Sequence, residues 1–109
     1  MITWEDFEKL DIRTGTIVEA LPFERAKKPA YKLKIDFGKN GIKNSSAQIT
    51  SLYNCGELVG KQIIAVINFP PKQIADFISE CLVLGVYDAD NNIILLQPER
   101  HTENGNKIG

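Results

Sequence analysis

The sequence is short of the residues that carry most protein chemistry. Its 109 positions include one histidine, two cysteines, one methionine and one tryptophan. The histidine, His101, lies in the polar stretch ERHTENG, with no neighbour to make it a general base. There is no Gly-rich phosphate loop, no HExxH and no Walker sequence. Ser45 and Ser46 have no adjacent base that would activate a hydroxyl. These absences argue against an enzyme, and neither a cofactor nor a metal site is expected.

Cys55 and Cys81 are far apart and form no CxxC pair. Without a secretion signal they read as free thiols rather than a disulfide. Cys81, inside ECLVLGV, reads as a small buried hydrophobe, and Cys55, in YNCGE, as an exposed thiol. No apolar run approaches the roughly 20 residues of a membrane span. The start, MITWEDFEKLD, is acidic and has no apolar signal core. A cytoplasmic protein without membrane insertion is therefore expected.

Net charge is also scarce, at −1, but it is unevenly spread. Residues 1–24 hold six acids against two bases, a net −4. Residues 25–43 hold seven bases against Asp36, a net +6. Such a dipolar surface can steer a polyanion to one face of a slightly acidic molecule.

What is present is strand pattern. TWED offers a threonine cap with an acid three residues on, so a short helix is expected over residues 4–9. Its apolar stripe, Trp4, Phe7 and Leu10, needs a partner, either the body of the domain or a second subunit. DIRTGTIVEALPF is β-branched, and Gly15 inside it suggests a bulge or bend. YKLKIDFG alternates, with Tyr31, Leu33, Ile35 and Phe37 on one face and Lys32, Lys34 and Asp36 on the other. GKNG signals a turn, IKNSSAQIT is a weaker strand, and TSLYNCGELVG is a helical or irregular excursion. KQIIAVINF and ECLVLGVYD are apolar strands, and IILLQP is the last. The polar end holds Ile108 as a docking peg.

Between two of these strands lies NFPPKQI, whose prolines cannot sit inside a ladder. It is either a stiff corner or a rigid rim presenting Lys72 and Gln73 to a ligand. The strand count and the excursion suit an all-β fold, a five-stranded oligonucleotide/oligosaccharide-binding (OB) barrel. One domain over residues 1–109 is expected: a helical extension at 1–10, the barrel at 11–98 and a tail at 99–109.

DIRTGTIVEA, KKPAYKLKIDFG, NSSAQIT and NFPPKQIADFISECLVLGV follow one another in the order and spacing of the OB-class tRNA-binding domain family. The chain resembles that family over nearly its whole length. NSSAQIT, NFPPKQI and the ending NGNKIG are most similar to its CsaA-type members, described as export-related chaperones. The resemblance implies tRNA as a partner and a homodimer built from the helix around Trp4–Leu10 and the stretch after Pro98. It also implies RNA contacts at Lys28 beside Pro29, at Ser46, at Asn68 with Pro71, and at Ser79. Synthetase-type members often carry lysine where this chain has Pro70, which leaves Lys72 as the nearby base.

RNA binding requires cations for phosphates and polar groups for bases or 2′-hydroxyls. Lys28, Lys32, Lys34 and Lys43 suit the first task, and Ser46, Gln48, Asn68 and Gln73 the second. Free aromatics are few: Tyr31 and Phe37 read as core, while Tyr53 and Phe69 read equally as stacking or packing groups. Recognition of folded RNA shape is thus expected over a stacked single strand. The rival is a chaperone for unfolded or precursor polypeptides. In that reading Phe69, with Ile74, Phe77 and Ile78 at i, i+3 and i+4, lines an apolar pocket.

Overall fold

The computed structural model describes residues 1–109. It opens with the expected capped helix, α1 (Trp4–Glu8). The Thr3 hydroxyl accepts from the Asp6 N–H, and the Asp6 carboxylate accepts from the Thr3 N–H. The stripe of α1 does not bury itself on the barrel. Trp4 is 81% exposed and Ile2 76%, and no residue of the helix is buried.

Five antiparallel strands form the main sheet: β1 (Ile12–Pro22), β2 (Tyr31–Asp36), β3 (Ile42–Ala47), β4 (Gln62–Val66) and β7 (Leu82–Val83). Their order is β3-β2-β1-β4-β7. The edges are drawn together where β3 meets residues 79–81. The Glu80 N–H donates to the Asn44 carbonyl at 2.8 Å, and the Ser46 N–H to the Ser79 hydroxyl at 3.1 Å. Ser45, facing inward, donates its hydroxyl to the Cys81 carbonyl at 3.0 Å. The result is the nearly closed barrel of an OB fold.

Alternation in YKLKIDFG is reproduced: Leu33, Ile35 and Phe37 are buried with Ile17, Ile63 and Ala65 in the core. The excursion after β3 contains α2 (Cys55–Leu58), capped by Asn54, and its Leu58 is fully buried in the barrel core. Cys55 is half-buried against this core, contrary to the exposed thiol expected, because α2 turns it inward.

Three other expectations change. Gly15 carries no bulge; the register of β1 against β2 shifts between Ile17 and Glu19. A Cβ at Gly15 would lie 2.7 Å from Ile35 Cγ2 and from the Phe37 ring, so the glycine is there for close packing. ECLVLGVYD is not one strand. Leu84 separates β7 from β8 (Gly85–Tyr87), which pairs instead with β9 (Ile93–Leu95) in a separate hairpin.

IADFI, spaced like a helix, is a second hairpin: β5 (Lys72–Ile74) and β6 (Phe77–Ser79). Its two-residue turn holds Ala75 at φ 53, which an α-helix does not contain.

The tail is more than a peg. The Gly105 N–H donates to the Thr14 carbonyl, the Thr14 N–H to the Asn106 carbonyl and the Ile108 N–H to the Ile12 carbonyl, all at 2.7–3.0 Å. These bonds fill the edge of β1 that β2, pairing only from Thr16 onward, leaves open. Buried Thr14 and Gln62 are satisfied by the same segment. The Thr14 hydroxyl donates to the Glu103 carbonyl at 2.9 Å, and the Gln62 carboxamide donates to the Thr102 carbonyl at 2.7 Å and accepts its N–H at 3.1 Å. Unpaired, each buried polar group would cost about 1–3 kcal/mol.

Candidate functional site

The prolines of NFPPKQI stand where the chain leaves β4 and turns into the β5–β6 hairpin. Phe69, Pro70 and Pro71 are exposed and form one wall of an open groove of about 790 Å³. β3 lines it with Ser46 and the segment just after β3 with Gln48, and the hairpin and its exit supply Lys72, Gln73, Ile74, Ser79 and Glu80. The corner and the rim are thus the same structure.

Seven of the anticipated residues meet there: Ser46, Gln48, Phe69, Lys72, Gln73, Ile74 and Ser79. Lys72 and Gln48 are exposed, so the groove offers an entering ligand both an ammonium and a carboxamide. The Ser79 hydroxyl holds the Ser46 N–H and so fixes the groove floor.

The other residues are placed differently. Lys32 and Lys34 lie outside the barrel, opposite Ser46 and Asn44 in the β2–β3 register. Lys34 is paired with Glu19 at 3.5 Å, with both side chains well exposed, a contact worth little in stability but locally neutralising. The Lys32 ammonium sits 5.1 Å from the Phe23 ring centroid and 5.7 Å from that of Phe77. Those rings meet edge to face at 5.4 Å. Lys32 therefore ties the hairpin to the barrel by cation–π attraction. Lys43 shares the strand parity of inward Ser45 and does not join Lys32 and Lys34 on their face.

Asn68 is committed elsewhere. Its carboxamide accepts from the Asp11 N–H at 2.9 Å and donates to the Lys9 carbonyl at 2.7 Å. It latches the exit of α1 rather than facing the groove. The apolar set also divides, because the hairpin pairs Ile74 with Phe77 and Gln73 with Ile78. Alternation turns Ile78 away from Ile74 and Phe77, so the three do not line one pocket. Phe69 and Ile74 face the groove, Phe77 packs on Phe23, and Ile78 is exposed.

Two contributors were missed by sequence reasoning. Phe23 closes the β-branched run DIRTGTIVEALPF and is buried beneath Lys32 and Phe77. Glu80 puts a carboxylate beside the groove and spends one oxygen on the Asn44 N–H at 2.9 Å. No sequence signal announces either, since both depend on the hairpin folding back.

Cys81 also touches the groove. Burial pushes its thiol up to about 11, against the opposing hydrogen bond from Ser45, so it stays protonated and is a poor nucleophile. No three His, Cys, Asp or Glu side chains gather as metal ligands. No helix is long and apolar enough to cross a membrane.

Residues 12–107 match the family described as "Putative tRNA binding domain". This chain belongs to the tRNA-binding domain family. Among solved structures, the CsaA chaperone protein of Picrophilus torridus is 59% identical, with a TM-score of 0.94 and full coverage of both chains. CsaA of Bacillus anthracis is 53% identical, with a TM-score of 0.93, over 100% of this chain and 99% of that one. A methionine–tRNA ligase of Methanococcoides burtonii is 39% identical over 108 residues, 99% of this chain. The chain spans only 16% of that ligase. This chain thus matches both proteins of its own length and one stretch of a far longer one.

Proposed function

We propose that this chain is a non-catalytic tRNA-binding protein, working in the cytoplasm as a homodimer that reads folded RNA shape. The observation that carries this reading is the groove between β3 and the β5–β6 hairpin. Within a tRNA-binding domain, it brings Lys72 together with the exposed amides Gln48 and Gln73 and the hydroxyls of Ser46 and Ser79. Lys28 stands one cavity away, adjoining the groove through Gln48. Lys43 adds charge near Cys81 without lining either cavity. Dimerisation is supported by the bare apolar stripe of α1, because a second copy would cover Ile2 and Trp4. Light scattering should accordingly return twice the 12.2 kDa chain mass, and a monomer would remove this part of the reading.

A second reading, polypeptide binding, is favoured by one feature of the same groove: Phe69 and Leu82 are about half exposed in it. A single anisotropy experiment separates the two. Labelled tRNA should bind saturably, and more tightly than an unstructured RNA of equal length, while a reduced, unfolded polypeptide should compete poorly. Equal binding of both RNAs would refute shape recognition. Strong competition that survives high salt would favour the polypeptide.

A further inference from the structure

Beside the main groove lies a second cavity of about 270 Å³, lined by residues of the β2 approach, the segment after β3 and the β8–β9 turn. We propose that it is a subsite for one unpaired ribonucleotide of a bound RNA, with the base inside and the phosphate at Lys28. This rests on the tRNA-binding reading and adds to it a site of defined chemistry.

The size of the cavity limits its occupant. It falls just below the roughly 300–1,000 Å³ of pockets for drug-sized ligands, so it suits one small unit rather than a helix or a peptide stretch. The lining then selects the chemistry. Gln48, Asn91 and Asn92 contribute carboxamides, and Thr50 and Ser51 hydroxyls. A carboxamide carries a donor and an acceptor side by side, matching the paired groups on a base edge. Ile49 and Ile93 give the ring faces an apolar seat. Lys28 is the one charged residue among those lining the cavity, and no acid there would repel a phosphate.

The turn carrying Asn91 and Asn92 is built to hold them still. The Asp88 carboxylate accepts the N–H groups of Asp90 and Asn92, each at 2.9 Å. Asn91, at φ 62, closes the turn by donating its N–H to the Asp88 carbonyl at 3.1 Å. The Asp88 carboxylate and backbone groups do this work, which leaves both asparagine carboxamides for a ligand. Gln48 lines both cavities, so an RNA strand lying in the larger groove has one residue to cross before a nucleotide can enter the smaller.

The test uses the full chain, isotopically labelled, titrated with each of the four nucleoside 5′-monophosphates. Amide shifts should concentrate at residues 48–52 and 91–93. In parallel, Asn92→Ala should weaken tRNA binding roughly five- to ten-fold, the effect of losing a polar base contact, without changing the salt dependence. Lys28→Gln should instead make the log–log salt slope shallower by about one phosphate contact. Shifts that are absent or lie elsewhere overturn the subsite. So does an Asn92→Ala variant that binds tRNA as wild type does. With wild-type tRNA binding intact, either result leaves the wider function standing. A wild-type protein with no salt-sensitive tRNA complex would defeat both.

Discussion

Reversing two charges, Lys28→Glu together with Lys72→Glu, should lower affinity for tRNA on the order of ten- to a hundred-fold near physiological salt and flatten its salt dependence. Both side chains are exposed, and neither is in an ion pair, so their ammonium groups remain available to phosphates. In the wild type, each phosphate contact contributes about 0.7–0.9 to the log–log slope, and the double variant should lose about two contacts. Lys32 should behave differently, although it belongs to the same basic stretch. Its charge rests over Phe23 and Phe77, so Lys32→Gln should reduce affinity by loosening the hairpin while leaving the slope unchanged, and Lys32→Arg should restore binding. A slope that falls equally in all three positions would mean that Lys32 meets phosphate directly.

The second large effect concerns the barrel itself. Gly15→Ala should destabilise the protein by about 1–3 kcal/mol, the usual cost of an extra methyl in a packed core. For a domain of this size, that shifts the melting temperature by roughly 4–8 °C per kcal/mol. The new Cβ would meet Ile35 and Phe37 at 2.7 Å, and both side chains are fully buried, so neither can step aside freely. Gly60 provides the contrast. Its φ of 94 disfavours a side chain, but nothing lies within 4 Å of its Cβ position. Gly60→Ala should therefore act through backbone strain alone, at about 1 kcal/mol. If thermal melts show Gly15→Ala to be the milder change, β1 and β2 do not cross as closely as described.

The two glycines also show where the sequence was informative. A glycine in a β-branched run marks something unusual, but the sequence does not distinguish a bend from a close crossing; only the strand opposite decides. Local signals were legible: the Thr3 cap, the alternation from Tyr31 to Phe37, and the excursion before β4. Long-range ones were not. Asn68 looked like a groove residue because NxxP sits at a turn, yet its carboxamide reaches Lys9 and Asp11 across nearly 60 positions. IADFI imitated helical spacing because a two-residue hairpin also places apolar groups three apart. The groove was half visible, since Ser46, Gln48, Lys72, Gln73 and Ser79 lie in short polar stretches between apolar runs. What remained hidden was pairing, which determines whether a lysine faces solvent, a carboxylate or an aromatic ring.

The seam between β1 and residues 105–108 bears on how the protein is made. Its first strand is made early and meets this partner only after the strands between them have been synthesised. Until then the edge around Arg13 stays open, and Thr14 and Gln62 must remain hydrated. Completion of the barrel thus waits on synthesis of residues 105–108.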